Sequence, residues 1–495
     1  MKGAVAGGSP YTVLAGLEAL ELGGNAADAA IAAQLMASVA EPLLTGLGGA
    51  GMGIVRFGGD VRVLDLFADV PGLGGGLDPA PMRQVTLDYG AAQQSFRVGA
   101  GSVAVPGIPA GICLLHERHG SLPLSVLARP AVRAAREGIL VNAGLERVFK
   151  LLWPIIQLSV DTMTLFSKQG RPLRQGDRYK RPRLGNTLEA FAAEGDSYFR
   201  TGAGARSALR ALGPGRSLGA EDLVRYEPRL VEPETLRHRD AELLVPGTPS
   251  AGGVMVGGML SLLGRGERFT AEATAAEAVR IVDAIRPVYA LRDEQVPGLL
   301  FEPGFREAFA RALGHGFTTH LSTVDEQGNA VGITTSLGES CGIVVPETGI
   351  LLNNFLGEDD VNPPEAMRGP GQRLMTMTSP MLVRHADGQV DVLGTGGSSR
   401  IPTALLHAIL YRVDAGLDCE GAVLGPRVHP EGERVKLETD RRAPAELEAL
   451  RAHWARLDEV PEPSLYFGGV HMVSQGPRGL SGAGDPRRGG SFGLI

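Results

Sequence analysis

The chain of 495 residues carries a net charge of −7, with 43% hydrophobic and 21% charged residues, so it has room for one large or two to three ordinary domains and ample apolar material for a core. It lacks the basic excess that nucleic acid demands and any apolar run of 18 residues, which excludes a nucleic-acid binder and a helical membrane span. Three widely spaced cysteines, Cys113, Cys341 and Cys419, fit reduced thiols and give no metal-ligand spacing.

The first ten residues lack the apolar stretch of a signal peptide, so a cytoplasmic protein is expected. Tyr11 to Leu22 has alanine and leucine at helical spacing and ends at Gly23-Gly24. Asn25 then offers an N-cap for Ala26 to Val39, apolar on nearly every side, as in a buried helix. Glu41-Pro42 stops it, a glycine loop follows, and Met52 to Phe57 reads as a strand. From about Leu122 to Ile285 the pattern is mostly helical, with breaks at Pro154, Pro182, Pro214 and Pro246–Pro249. From Phe317 short alternating strands take over, followed by a helix at Thr403 to Asp414. Helices flanking antiparallel strands make this an α+β layered chain. Glycine is the compositional outlier, with 70 residues in short clusters that point to tight turns and close backbone approach.

The most informative stretch is Thr318-Thr319-His320-Leu321-Ser322-Thr323-Val324-Asp325, a Glu326-Gln327-Gly328 loop, and Asn329 to Ser336. A three-residue loop with Gly328 in the left-handed position pairs Asp325 with Asn329 and, counting outward, sets Thr318 opposite Ser336. A one-residue slip would turn Ser336 to the other face. Threonine-rich strands also arise simply because β-branched residues suit sheets.

The run Thr318-Thr319-His320…Asp325…Gly328-Asn329-Ala330-Val331, then Gly349–Asn354, resembles the start of the small subunit of γ-glutamyltranspeptidases. Gly23–Ala30, Glu41-Pro42 with its glycine loop, Val105-Pro106-Gly107, Ala134–Gly138 and Pro249–Gly253 are similar to blocks of that family's large subunit, and Gly394–Ile401 and Gly484–Arg487 match in order near the end. The resemblance implies a four-layer αββα N-terminal-nucleophile sandwich made as one precursor. It also implies self-cleavage between Phe317 and Thr318, giving a large segment, residues 1–317, and a small one, residues 318–495, intertwined as one domain. A dimer of such units is left open. Thr318 would then hold a nucleophilic hydroxyl and, in its own α-amino group, the base that activates it. No metal or organic cofactor is implied.

Carried over residue by residue, Ser336 matches the family's second threonine, which orients the nucleophile. Gly397 and Ser398 match a Gly-Gly pair whose backbone N–H groups form the oxyanion hole, a role that needs only the N–H. A tight strand-to-helix turn would place the same glycines there. The implied substrate is a γ-glutamyl, glutathione-like amide, hydrolysed or transferred to an acceptor amine. The pocket departs from that pattern. Asp65 to Gly72 holds no arginine where the family pairs one with the substrate carboxylate. Gly338 stands for an asparagine and Phe355 for a glutamine; Glu358 keeps the acidic position that receives the substrate amine, unless it belongs to a solvated acidic loop. Thr376 and Met377 replace a serine pair and leave one hydroxyl. Arg83, Arg97 or Arg373 could supply the missing cation. An oxamate-type amidohydrolase or an acylase is therefore the rival within the fold.

Two further motifs compete. Gly46-Leu47-Gly48-Gly49-Ala50-Gly51 fits a dinucleotide fingerprint but follows a helix and precedes a strand, the reverse of what that site needs. Gly338-Glu339-Ser340-Cys341-Gly342 fits a nucleophile elbow, with His407, His429, His453 and His471 downstream, yet Ile343-Val344-Val345-Pro346 cannot open the required helix. A serine hydrolase using Ser340 and an unprocessed, non-catalytic scaffold are the readings from other classes; Cys341 has no identifiable base.

Overall fold

The computed structural model describes residues 2–88, 93–264, 266–293, 317–358, 362 and 367–495. The chain opens with β1 (Gly3–Gly7), α1 (Pro10–Glu21), α2 (Ala26–Ala40), β2 (Ala50–Phe57) and β3 (Asp60–Leu66). A capping box starts α2: Asn25 Oδ1 accepts from the amides of Ala27 and Asp28, and the Asp28 carboxylate accepts from the Asn25 amide. Every residue of α2 is buried, as its all-round apolar sequence requires.

The middle third is largely helical from Leu124–Glu137 through Pro182–Glu194, but besides four two-residue strands it contains three longer ones that a helical reading misses: β4 (Arg229–Val231), β5 (Glu234–His238) and β6 (Ala241–Val245). They are short and flanked by Pro228, Pro233 and Pro246, so helical spacing never had the length to compete. Helices α3 (Gly252–Leu263) and α4 (Ala275–Asp293) follow. The second half supplies β7 (Phe317–Asp325), β8 (Ala330–Gly338), β9 (Met381–Arg384), β10 (Val390–Gly396), α5 (Ile401–Ile409), β11 (Gly469–Gly476), β12 (Gly479–Gly484) and β13 (Ser491–Leu494).

Two sheets result. One has seven strands in the order β4-β3-β2-β8-β7-β1-β13, the other six in the order β5-β6-β9-β10-β11-β12. Alternation along β7 and β8 sorts their residues between two cores. Leu321, Val331 and Ile333 pack with the α1–α2 layer, while Val324 and Ala330 meet Val392 and Val473 between the sheets. On the far side of the second sheet, α3, α4 and α5 bury Met255, Val282 and Leu405. The layers run helix, sheet, sheet, helix, an αββα sandwich.

The β7–β8 hairpin has the expected register. Thr318 faces Ser336, Thr319 faces Thr335 and Val324 faces Ala330. The Asp325 amide donates to Asn329 O at 3.0 Å, and Gly328 takes φ +79°, the left-handed value this loop requires. The buried Asp325 carboxylate accepts from the amides of Gln327 and Asn329, from Asn329 Nδ2, and from Ala26 N at the start of α2, all at 3.0 Å. One side chain thus closes the turn and ties it to a helix N-terminus, where negative charge is favoured. Replacing it by alanine orphans these donors at about 1–3 kcal/mol each. Asp325→Ala should lower unfolding free energy by about 3–5 kcal/mol, read by urea titration with the slope unchanged.

Candidate active site

Thr318 lies at the start of β7, where the register shifts between Phe317 and Thr318 so that Phe317 faces Gly338. Such a bulge re-aims side chains. Thr318 and Ser336 are buried and line one cavity of about 30 Å³, enough for one or two waters. Its other walls are Phe67, Phe355, Glu358, Met375, Thr376, Met377, Thr378 and Ile401. Four of the five substrate residues expected from sequence, Phe355, Glu358, Thr376 and Met377, therefore meet Thr318 and Ser336 at one place. The fifth, Gly338, stands just behind. It has φ +65°, and a Cβ there would come within 2.2 Å of Asn354 Oδ1 and 2.9 Å of Glu358 Oε1. Only glycine lets the Glu358 carboxylate come so near the end of β8.

Ser336 Oγ accepts from the Gly338 amide at 2.8 Å, which fixes the hydroxyl oxygen. Gly396, at the end of β10, presses on the Thr318 carbonyl, where a Cβ would lie 1.9 Å from the oxygen. Gly397 follows with φ +141°, and a turn at Ser398–Arg400 leads into α5. The backbone of Ser398 is described; its side chain lies outside the described residues. Arg488 Nη1 donates to Thr318 O at 3.3 Å from the C-terminal end of the chain.

Sequence reasoning left one hydroxyl at Thr376-Met377. The fold restores a second, because Thr378 lines the cavity and its Oγ1 lies 3.0 Å from Thr376 Oγ1. It also missed Phe67, the residue of the Asp65–Gly72 stretch that lines the Thr318 cavity. Of the three candidate cations, Arg373 is consumed: Nε reaches Asp65 at 3.0 Å, Nη1 reaches Asp69 at 2.5 Å, and its guanidinium lies over the Tyr226 ring. Arg83 is exposed. Arg97 lines a different cavity of about 450 Å³ with Val70, Leu77, Met82, Leu356 and Met367. No residue lines both cavities, but Phe355 of the smaller one is followed in the chain by Leu356 of the larger, and Phe67 and Phe355 of the smaller stand in ring contact at 5.2 Å.

The competing motifs find no chemistry. Ser340 is buried and donates to Leu352 O at 3.0 Å, and a strand follows at Val344–Val345 instead of a helix. His407 is spent on Thr403 O and the Val428 amide, His429 lies against Thr403, and His471 accepts from the Asp485 amide. Burial pushes the Cys341 thiol up to about 12, far from a thiolate at neutral pH. The Gly46–Gly51 loop gives its Gly49 carbonyl to the amides of Gly107 and Ile108, a structural joint.

Behind Thr318, on the helix-facing side of the sheet, lies Glu41, which sequence reading treats only as a helix stop. Its carboxylate accepts from Thr12 Oγ1 at 2.5 Å and from Thr319 Oγ1. Burial raises its pKa from 4.5 to about 6, partly offset by those two hydrogen bonds. The folded protein thus holds the Glu41 proton more tightly than the unfolded chain. That contribution favours folding below pH 4.5 and is lost as pH rises through about 6. At neutral pH the charge costs about 2 kcal/mol. Glu41→Gln should be more stable than the parent by up to about that amount at pH 7.5 and nearly equal at pH 4, measured by denaturant titration at both.

The chain matches the family model described as Gamma-glutamyltranspeptidase over residues 12–309 and 303–494. It is 29% identical to the "Acylase ACY 1 proenzyme" of Pseudomonas sp. (strain SE83), over 97% of this chain and 91% of that protein. It is 27% identical to the "Glutathione hydrolase proenzyme" of Escherichia coli (strain K12), over 98% and 90%. The solved cephalosporin acylase from Bacillus halodurans superposes with a TM-score of 0.82 over 99% of this chain and 95% of that one, at 24% identity, a likeness of fold.

Proposed function

The chain belongs to the γ-glutamyltranspeptidase family of self-processing amide hydrolases and acyltransferases, and from that premise we propose that it matures by cutting before Thr318 and then hydrolyses acyl amides with an apolar acyl side, using Thr318 as nucleophile. One observation carries the reading: among the described residues around Thr318, no histidine or lysine lines the cavity, and Glu358 is the one charged side chain. His320, two residues along β7, has its ring nitrogens engaged at 2.8 Å by Thr334 and 2.7 Å by Ser322, and burial followed by the nearby His471 keeps it neutral. With His320 neutral and engaged, a freed α-amino group on Thr318 supplies a base in the same residue, with a pKa near 8.

In maturation, Thr318 Oγ1 attacks the Phe317 carbonyl, the C–N bond breaks to leave an ester, and water hydrolyses it to free the threonine amine. In turnover, that amine takes the hydroxyl proton as Oγ1 attacks the substrate carbonyl. It returns the proton to the leaving amine, leaving an acyl-enzyme that water or an acceptor amine resolves. The N–H groups of Gly397 and Ser398 are assigned to the oxyanion and Ser336 to orienting Thr318. Phe67, Phe355, Met375, Met377 and Ile401 favour an apolar acyl stub, and the neighbouring 450 Å³ cavity offers room for the rest of a substrate. The relative named as an acylase supports an acyl amide as the substrate class. Glu358 favours a second reading, a γ-glutamyl acyl group whose ammonium it would meet, with the glutathione hydrolase relative on its side.

On a denaturing gel the 51.9 kDa chain should resolve into pieces of about 33 and about 19 kDa, while Thr318→Ala stays whole and inactive and Ser340→Ala matures normally. An intact, active parent that dies only with Ser340→Ala would refute the assignment. Between paired p-nitroanilides, an apolar acyl group should exceed γ-glutamyl by about tenfold or more in kcat/KM, roughly one charge contact's worth; the reverse order selects the second reading.

A further inference from the structure

After a cut before Thr318, the nucleophile would be the first residue of a strand, and new chain ends fray unless something ties them down. Strand β1 pairs with β7 only from Leu321 onward, so residues 318–320 extend past it and have ladder pairing on the β8 side alone. On the substrate face, Ser336 opposes Thr318 and Arg488 holds its carbonyl. On the other face, Thr319 turns its hydroxyl into the helix layer, where Glu41 receives it. The Glu41 backbone is anchored too: its amide donates to Ala37 O at 2.8 Å, and its carbonyl accepts from Leu44 and Thr45 at 3.2 Å.

We propose that Glu41 is a positioning residue for the nucleophile: by holding Thr319 it fixes the Thr318–Thr319 peptide, and both self-cleavage and turnover depend on that hold. The proposal rests on Thr318 being the nucleophile. An ionised Glu41 accepts from both hydroxyls, one on each oxygen. Once protonated it must turn one of those bonds around, so the hold changes near pH 6. The charged and titratable groups facing this corner are few. Arg488 lines the same small cavity of about 20 Å³ as Glu41. Arg181 donates to Ser38 O and Tyr179 to Val39 O on the last turn of α2. Helix α1 brings Thr12 and Tyr11, and β7 brings Thr319. A misplacement of about 1 Å at a reacting atom is enough to cost two orders of magnitude in rate. A buried charge that lowers neutral-pH stability yet holds the residue beside the nucleophile links that cost to rate.

Glu41→Gln, Thr319→Val and their double variant distinguish a positioning role from a structural one. Cleavage is followed with time on denaturing gels, and kcat and KM are measured from pH 5 to 9 on an anilide that the parent turns over. Glu41→Gln should gain stability at neutral pH and yet cleave and turn over about tenfold more slowly, with KM within twofold and the acid limb near pH 6 flattened. Thr319→Val should show the same loss in kcat, and the double variant should be no worse than either single change, since all three break one contact. Parent-like rates and an unchanged acid limb in Glu41→Gln and Thr319→Val would overturn the proposal, as would losses that multiply in the double variant. Glu41→Leu adds a variant with no hydrogen-bonding capacity; should it fail to fold, the other three still decide. If the parent is not cut, or Thr318→Ala stays active, it is the nucleophile assignment that fails, and the two failures are told apart on the same gel.

Discussion

The register of one hairpin governs the rest of the molecule. A side chain on β7 or β8 faces either the helix layer or the second sheet, and the pairing of Thr318 with Ser336 decides which. In the observed register, Thr318 and Ser336 share the side on which Phe67, Phe355, Glu358 and Met377 converge. Thr319 and Thr335 share the other side, where buried hydroxyls meet Glu41, Thr45 and Gln34. Shifting the pairing by one residue would exchange a reaction cavity for a polar seam inside the helix layer. Asp325 prevents it by closing the turn and binding the start of α2 at once.

The two faces divide the labour. The Thr318 side is mostly apolar and narrow, with a single carboxylate lining the cavity, while Arg373 is locked between Asp65 and Asp69 and Arg488 is turned to the Thr318 carbonyl. Breaking that buried triad would leave two carboxylates uncompensated, so Arg373 cannot turn to a substrate cheaply. The helix side is polar where the nucleophile strand needs holding and apolar elsewhere. In the proposed function, specificity and alignment fall on opposite faces of one sheet, with Phe67, Phe355 and Met377 on one side and Glu41 on the other.

Much of this was legible in the sequence where the signal was local. The Asp325–Gly328 turn fixes its own geometry, so counting outward from it reached Ser336 correctly, and the alanine-rich, largely apolar sequence of α2, broken only by Asp28, Gln34 and Ser38, announced its burial. Glu358, Phe355, Thr376 and Met377 were found through family blocks, whose order survives even where the residue types have changed. What stayed hidden depends on distance along the chain. Glu41 meets Thr319 across 278 positions, and Arg488 meets Thr318 across 170. No periodicity or spacing encodes such contacts. Strands β5 and β6 were hidden for another reason: each has five residues, too few for alternation to be distinguished from the helical segments around them.

The strand order has a consequence for how such a molecule can be remade. Reading across the seven-stranded sheet, β4, β3 and β2 come from before the proposed cut, β8 and β7 from after it, β1 from before and β13 from after. Severing that one peptide bond would leave two polypeptides interleaved in blocks of strands, neither owning the complete sheet. They cannot drift apart by dilution, because separation means dismantling both layers. The reverse trip would be harder still, since a search that was once intramolecular becomes an encounter between two partly folded chains. The uncut chain acts as its own assembly jig, used once, and a heat-unfolded mature protein would have lost the only route by which its strands were threaded.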